Sequence, residues 1–209
     1  MKQFLLIDDH FVVRSGIKGL LSELYKPCEV YEANDSEGAI VLLKERPYDL
    51  IMMDVHVPKS DMLGLMEYVQ VRYPESKVLI FSMSPETVYA KKFLKAGAKG
   101  FLSKDSSAAE TVKAINQVMN NRRYVSETLA QILAEDSIHD NPSNPFDKLS
   151  PREFQIVFML LKGQPLHEIA KSLHIQPSTA GSHKAKLFKK MGVSNLMELK
   201  DMAVIYMPK

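Results

Sequence analysis

The chain has 209 residues, 45% of them hydrophobic and 25% charged, with a formal net charge of +2. This is ordinary globular composition for one or two domains, and no apolar run approaches the length needed to cross a bilayer. The single cysteine, Cys28, excludes an intrachain disulfide and a cysteine-based zinc site. The opening "MKQFLLIDDH" lacks the long apolar stretch and cleavage site of a signal peptide, so a reducing cytoplasm is the expected compartment, with no membrane partner.

The charge is unevenly spread. From Lys148 to Lys209 there are ten bases and four acids, a local net of +6, which leaves −4 for residues 1–147. An acidic front and a basic back point to two units with different partners.

Residues 1–121 alternate short apolar runs with helix-period stretches. The runs are "QFLLI", "EVYEA", "DLIMM", "KVLIF" and "GFLSK". The middle ones are apolar on consecutive residues, as in strands buried on both faces. After the first run, Val13, Ile17, Leu20, Leu21 and Leu24 form one apolar helical stripe, and Val112, Ile115 and Met119 form another. Five strands, each followed by a helix, predict a parallel sheet covered on both faces. Such sheets bind ligands at the C-terminal ends of their strands, where the strand order reverses.

Chemistry gathers at those ends. The first run ends in Asp8 and Asp9, the third in Asp54, the fourth in Ser82, and the fifth leads to Lys104. If the order turns over at the first strand, Asp8, Asp9 and Asp54 meet at one edge, onto which Ser82 and Lys104 also open. Adjacent carboxylates at a buried strand end repel each other. A hard divalent cation, Mg²⁺ by choice, cancels that repulsion and favours phosphate oxygens. A phosphoryl group on Asp54 would be held by the cation, Ser82 and Lys104 together. Singly, each residue has a plainer use. Asp8 or Asp9 could cap the helix beginning at His10, Ser82 could be a strand-end hydroxyl, and Lys104 a surface lysine.

Residues 122–147 read differently. Ser126 could cap a short helix containing Ala130, Ile132 and Leu133, and the polar "EDSIHDNPSNPFD" with its two prolines reads as a linker. From 148 to 209 the pattern is all helical. Ser150-Pro151-Arg152-Glu153 is a capping box with proline at the first helical position. Next come "PLHEIAKSL", the turn "HIQ", a helix "PSTAGSHKAKLFKKM" closed by Gly192, and a last helix over 195–207. Helix, tight turn and helix make a helix-turn-helix, whose second helix lies in the DNA major groove. Lys184, Lys186, Lys189 and Lys190 run along that helix and suit phosphate contacts. Ser178 and Thr179 at its start add hydroxyls and free N–H groups.

On these residues, 1–121 resembles a response-regulator receiver domain. The resemblance implies an α/β flavodoxin-like fold, a five-stranded parallel sheet of order 2-1-3-4-5. It implies Asp8 and Asp9 as metal ligands, with Asp54 as both ligand and phosphoacceptor and the His56 backbone carbonyl completing the set. Ser82 becomes the switch hydroxyl, Lys104 the phosphate-binding lysine, and Phe101 an aromatic that changes rotamer on activation. The side chain of His56 is expected to be an exposed loop residue. The segment "LSPRE", "KG", "EIAKSL" and "STAGSHKAKLFKKM" resembles the LuxR-type helix-turn-helix. Together the halves resemble the NarL/FixJ class, which implies a sensor histidine kinase, double-stranded DNA and a homodimer as partners, and in which the last helix often makes the dimer on DNA.

The chain departs from the pattern at several places. The loop "PKSDMLG" after the phosphoacceptor strand is longer than usual. Met83, after the switch serine, is bulky enough to hinder Ser82. Gly181 and Ala185 replace residues that are basic in relatives and contact DNA, so base reading falls to Ser182, Lys186 or Lys184, with His183 half-buried or on phosphate. The expected function is a phosphorylation-controlled transcription regulator with no enzymatic turnover beyond its own phosphoryl transfer and hydrolysis. An alternative is a receiver that signals through protein contacts, its sequence-specific DNA binding weakened or lost. An aspartyl-phosphate enzyme ranks last, because no substrate-binding cap insertion is visible.

Overall fold

All five apolar runs form strands: β1 (Lys2–Ile7), β2 (Cys28–Ala33), β3 (Leu50–Met53), β4 (Lys77–Ser82) and β5 (Gly100–Ser103). A computed structural model of the chain describes residues 1–138, 144–173 and 175–207. The strands are parallel, in the order β2-β1-β3-β4-β5. Between and after them run α1 (Phe11–Leu24), α2 (Ser36–Glu45), α3 (Met62–Arg72), α4 (Glu86–Lys95) and α5 (Ala108–Met119). Residues of β1, β3 and β4 are buried consecutively, which explains their unbroken apolar runs. On one face Leu6, Met52, Phe81 and Leu102 pack with Ile17 and Leu21 of α1 and Ile115 and Val118 of α5.

The ladder itself carries the sheet edge into register. Ile7 stands opposite Met53 and Met53 opposite Ile80, so the residues that follow emerge side by side. Backbone bonds extend past the strands: Asp54 N donates to Ile7 O at 2.9 Å, Asp8 N to Ala33 O at 3.1 Å, and Lys104 N to Ser82 O at 3.0 Å.

The chain divides into two compact units, Met1–Leu129 and Ala130–Lys209. The first runs past the 1–121 expected for the receiver. The reason is Tyr124, which is 4% exposed and bridges to β5 opposite Gly100. Helix α6 (Glu127–Ile138) follows, with Ser126 Oγ accepting from Leu129 N at 3.0 Å as the sequence implied.

In the second unit a 3-10 turn (Pro145–Lys148) precedes α7 (Pro151–Leu161), α8 (Leu166–Ser172), α9 (Pro177–Met191) and α10 (Leu196–Tyr206). The expected capping box is present in both directions at Ser150 and Glu153. Gly192 ends α9 at φ +68°, the left-handed conformation that favours glycine. Phe146, Phe154, Ile156, Leu160, Ile169 and Leu187 lie within this unit's core. Burial of Phe146 corrects the linker reading at its far end. "NPFDK" is folded against the helices, because Asn144 caps the turn and delivers the phenyl ring inward. The near end is helical as well, since α6 runs on to Ile138. The rest of the proposed linker, 139–143, and the turn residue His174 lie outside the described residues.

Candidate functional site

Asp8, Asp54, Ser82 and Lys104 converge at the C-terminal edge of the sheet. Lys104 Nζ lies 2.7 Å from Asp54 Oδ2 and 2.6 Å from Asp8 Oδ2. Ser82 Oγ donates to Asp54 Oδ1 at 2.5 Å, and His56 N donates to the same oxygen at 3.2 Å. All four side chains are buried, with Ser82 only 1% exposed. Asp9 is the exposed member of the pair.

The electrostatics follow from this packing. Burial pushes the Asp54 carboxyl up, but the bonds from Lys104 and Ser82 outweigh it and hold the group below the usual carboxylate range. Burial likewise opposes the Lys104 charge, and the bonds to Asp54 and Asp8 overcome it, so this ammonium is held above its ordinary range.

One potential ligand atom from each of Asp8, Asp9, His10 and Asp54 lies within 4.8 Å of the others. Three carboxylates in that space suit a hard, oxygen-seeking cation. His10 enters the cluster because its N–H and ring both bond Asp8 Oδ1, at 2.9 and 3.1 Å, and its ring also meets Asp9 at 3.1 Å. The capping alternative for the acidic pair is not met: the N-cap of α1 is His10, with no side-chain cap bond, and Asp8 accepts from His10 N, one residue before the helix.

His56 is where the sequence reading fails. Its side chain is half-buried, not an exposed loop group. Ser84 Oγ lies 2.5 Å from Nδ1 and the Tyr89 hydroxyl 2.9 Å from Nε2, with the His56 and Tyr89 rings edge to face at 4.9 Å. Neither Ser84 nor Tyr89 was singled out from sequence. Tyr89 lies seven residues beyond Ser82, and nothing in the pattern of α4 marks a phenol that turns back toward β3. Arg14 was also missed: it donates to the Asp8 carbonyl at 2.5 Å and pairs with Glu32 at 3.1 Å. Phe101 is fully buried, and Met83 is 62% exposed, so its bulk projects outward. Asp61 caps α3 by accepting from Gly64 N at 2.7 Å, and a Cβ at Gly64 would meet that carboxylate at 2.6 Å.

In the second unit, Ser178, Thr179, Ser182, Lys186 and Lys189 are exposed along α9, while His183 and Lys184 are half-buried. Lys184 Nζ stands 5.3 Å from the centre of the Phe188 ring. Lys190, exposed like Lys186 and Lys189, differs from them in having a partner among the described residues of the unit. Its ammonium bonds Glu153 Oε2 at 2.7 Å, and Glu153 is buried. A buried carboxylate needs that partner, so Lys190 belongs to the packing of α9 on α7. Arg152 donates to the Leu173 carbonyl at 3.1 Å and so holds the end of α8 where the turn begins. A Cβ at Gly181 would meet Leu166 Cδ2 at an ordinary 3.9 Å, so packing does not require glycine there. Among the described residues, no helix is long and apolar enough to cross a membrane.

Comparison with known proteins agrees with this geometry. Residues 4–116 match the family model of the response regulator receiver domain, and residues 147–203 that of bacterial regulatory proteins of the luxR family. The response regulator UvrY of Escherichia coli K12 is 32% identical over 205 residues, covering 98% of this chain and 94% of that protein. The response regulator GacA of Pseudomonas viridiflava is 33% identical over 205 residues, covering 98% and 96% respectively. Among solved structures, RcsB from Salmonella enterica serovar Typhimurium, bound to promoter rprA with the phosphomimetic BeF3⁻, superposes with a TM-score of 0.75 at 23% identity, covering 96% of this chain and 97% of that one. A further RcsB structure reaches 0.79 at 22% identity, covering 99% and 100%. The chain belongs to the response regulators of the NarL/FixJ class, with a receiver domain and a LuxR-type DNA-binding domain.

Proposed function

We propose that this protein is a transcription regulator switched by a phosphoryl group on Asp54. The observation that carries the reading is the double contact of Lys104 with Asp54 and Asp8, beside the Ser82–Asp54 bond. An Asp54 carboxylate oxygen attacks phosphorus, and the P–N bond of a kinase phosphohistidine, or the P–O bond of a small acyl phosphate, breaks. The leaving group takes the electron pair: the imidazole nitrogen then picks up a proton, whereas the carboxylate of an acyl phosphate leaves as the anion. Lys104 and Ser82 then donate to the phosphoryl oxygens instead of the free carboxylate. Mg²⁺, held by Asp8, Asp9, Asp54 and the His56 carbonyl, would supply charge neutralisation on the transferring group. Hydrolysis of the aspartyl phosphate resets the switch, and no other turnover is proposed.

Movement of Ser82 toward the phosphoryl group, with Phe101 following, alters the surface of β4, α4 and β5. The output is α9 in the major groove of double-stranded DNA, with Ser178, Thr179, Lys184, Lys186 and Lys189 on phosphate and Ser182 or Lys186 toward bases. Met197, Val204 and Ile205 on α10 are each at least 70% exposed and share one face, which suits a homodimer on two half-sites. The compartment is the cytoplasm and the donor a sensor histidine kinase. A second reading, motivated by Gly181 and Ala185 standing where basic residues are expected, is that the receiver signals through protein contacts with sequence-specific DNA binding weakened or lost.

Incubation with acetyl phosphate and Mg²⁺, followed by mass spectrometry, tests the first step. A gain of one phosphoryl group on Asp54 is expected, and absence of that gain would contradict the proposal.

A further inference from the structure

Strand β5 is an edge strand, and its outer edge is closed by the chain that leads to the second unit. Tyr124 N donates to Lys99 O at 2.9 Å, and Phe101 N donates to Tyr124 O at 3.2 Å. Gly100 faces this bridge, and a Cβ there would meet Tyr124 O at 2.7 Å, so only glycine allows the approach. The Tyr124 ring is buried in the α1/α5-side core, and its hydroxyl donates to Glu110 of α5 at 2.8 Å.

Two residues later the same segment ties to α4. Ser126 Oγ donates to Glu86 Oε1 at 2.5 Å while accepting from Leu129 N at 3.0 Å. One hydroxyl thus joins the first turn of α4 to the first turn of α6. A serine has a single hydroxyl proton, so its hydrogen bond to Glu86 has no spare donor to replace it. Glu86 lies four residues after Ser82, which bonds the phosphoacceptor.

We infer that residues 122–129 are a latch that reports the state of Asp54 to α6. The inference rests on the phosphoryl reading above and adds the residues that transmit it. The backbone of Phe101 is bonded to Tyr124, and the start of α4 is bonded to Ser126. A shift of Ser82 toward a phosphoryl group draws the β4–α4 connection with it, Glu86 leaves Ser126, and the first turn of α6 loosens. The Tyr124 bridge persists as the hinge, because its ring stays in the core.

Hydrogen exchange on the full chain, with and without beryllofluoride and Mg²⁺, tests this. In the wild type, beryllofluoride should speed exchange over 126–132 at least tenfold while residues 99–101 stay protected. Glu86→Ala should show the faster exchange without beryllofluoride, and a further increase of less than twofold with it. Asp54 phosphorylation by acetyl phosphate should be unchanged in Glu86→Ala, since Glu86 does not touch the acidic site. Ser126→Ala is the second variant and should behave alike. Altered exchange over 82–86 with none over 126–132 would overturn the latch and leave the phosphoryl switch standing. No response anywhere, with no phosphoryl group on Asp54, would overturn both.

Discussion

Lys104 holds Asp54 at 2.7 Å from the end of a strand two places away in the sheet, and the same ammonium reaches Asp8 at 2.6 Å. One buried cation thus serves two carboxylates. Lys104→Gln leaves them facing each other with less compensation. Stability without divalent cation should fall by about 3 kcal/mol. Added Mg²⁺ should recover more of it than it adds to the wild type. Thermal melts with Mg²⁺ and with chelator check both parts.

Asp54→Asn keeps the shape of the site and removes the nucleophile. Phosphorylation by acetyl phosphate should be lost. The Ser82 and Lys104 bonds hold the Asp54 carboxyl below its ordinary range, so their contribution is present above the unfolded-state value and lost as pH falls through the folded one. Asp54→Asn should therefore flatten the acid limb of the receiver's stability curve, as read by urea melts at stepped pH.

Glu153 governs the second unit in the same sense. Burial pushes its carboxyl up, but the bonds from Lys190 and the Ser150 backbone pull it below the usual range. Its support for α7 is present above about the ordinary carboxylate value and fades as pH falls below it. Glu153→Gln should cost about 1–2 kcal/mol at neutral pH and nearly nothing in acid. Circular dichroism melts of the full chain across pH 3–7 (an order-of-magnitude window for carboxylate titration) make the comparison.

The lysines of α9 should separate into two kinds. Lys186→Ala and Lys189→Ala should weaken DNA binding and reduce the salt slope by about one each, with little change in folding. Lys190→Ala should instead destabilise the second unit, because it strips the partner from buried Glu153. Fluorescence anisotropy at several salt concentrations, beside thermal melts, tells the two apart.

Gly181 offers a gain. Its backbone has no need of glycine, and the space beside it is open to a methyl group. Gly181→Ala should stabilise α9 by about 1 kcal/mol. A melt of the full chain against wild type reads it.

Strand ends and helix caps were legible in the sequence because each rests on local pattern. The apolar runs set the strands, and their parallel order then brought Asp8, Asp54, Ser82 and Lys104 together. What stayed hidden depends on where distant side chains turn. The His56 ring finds Ser84 and Tyr89 across 28 and 33 residues, and no periodicity encodes that. Lys190 looked like its neighbours on α9 until the fold placed Glu153 beneath it. Tyr124 sat in a stretch read as connection, yet a lone bridge to an exposed strand edge leaves no alternating pattern to read.

The central claim is that a phosphoryl group on Asp54 controls selective DNA binding by α9. Sheared genomic DNA incubated with the protein, with and without beryllofluoride and Mg²⁺, and sequenced after capture, tests it directly. The account predicts a few sites enriched only with beryllofluoride. Equal enrichment in both conditions, or none in either, would contradict it.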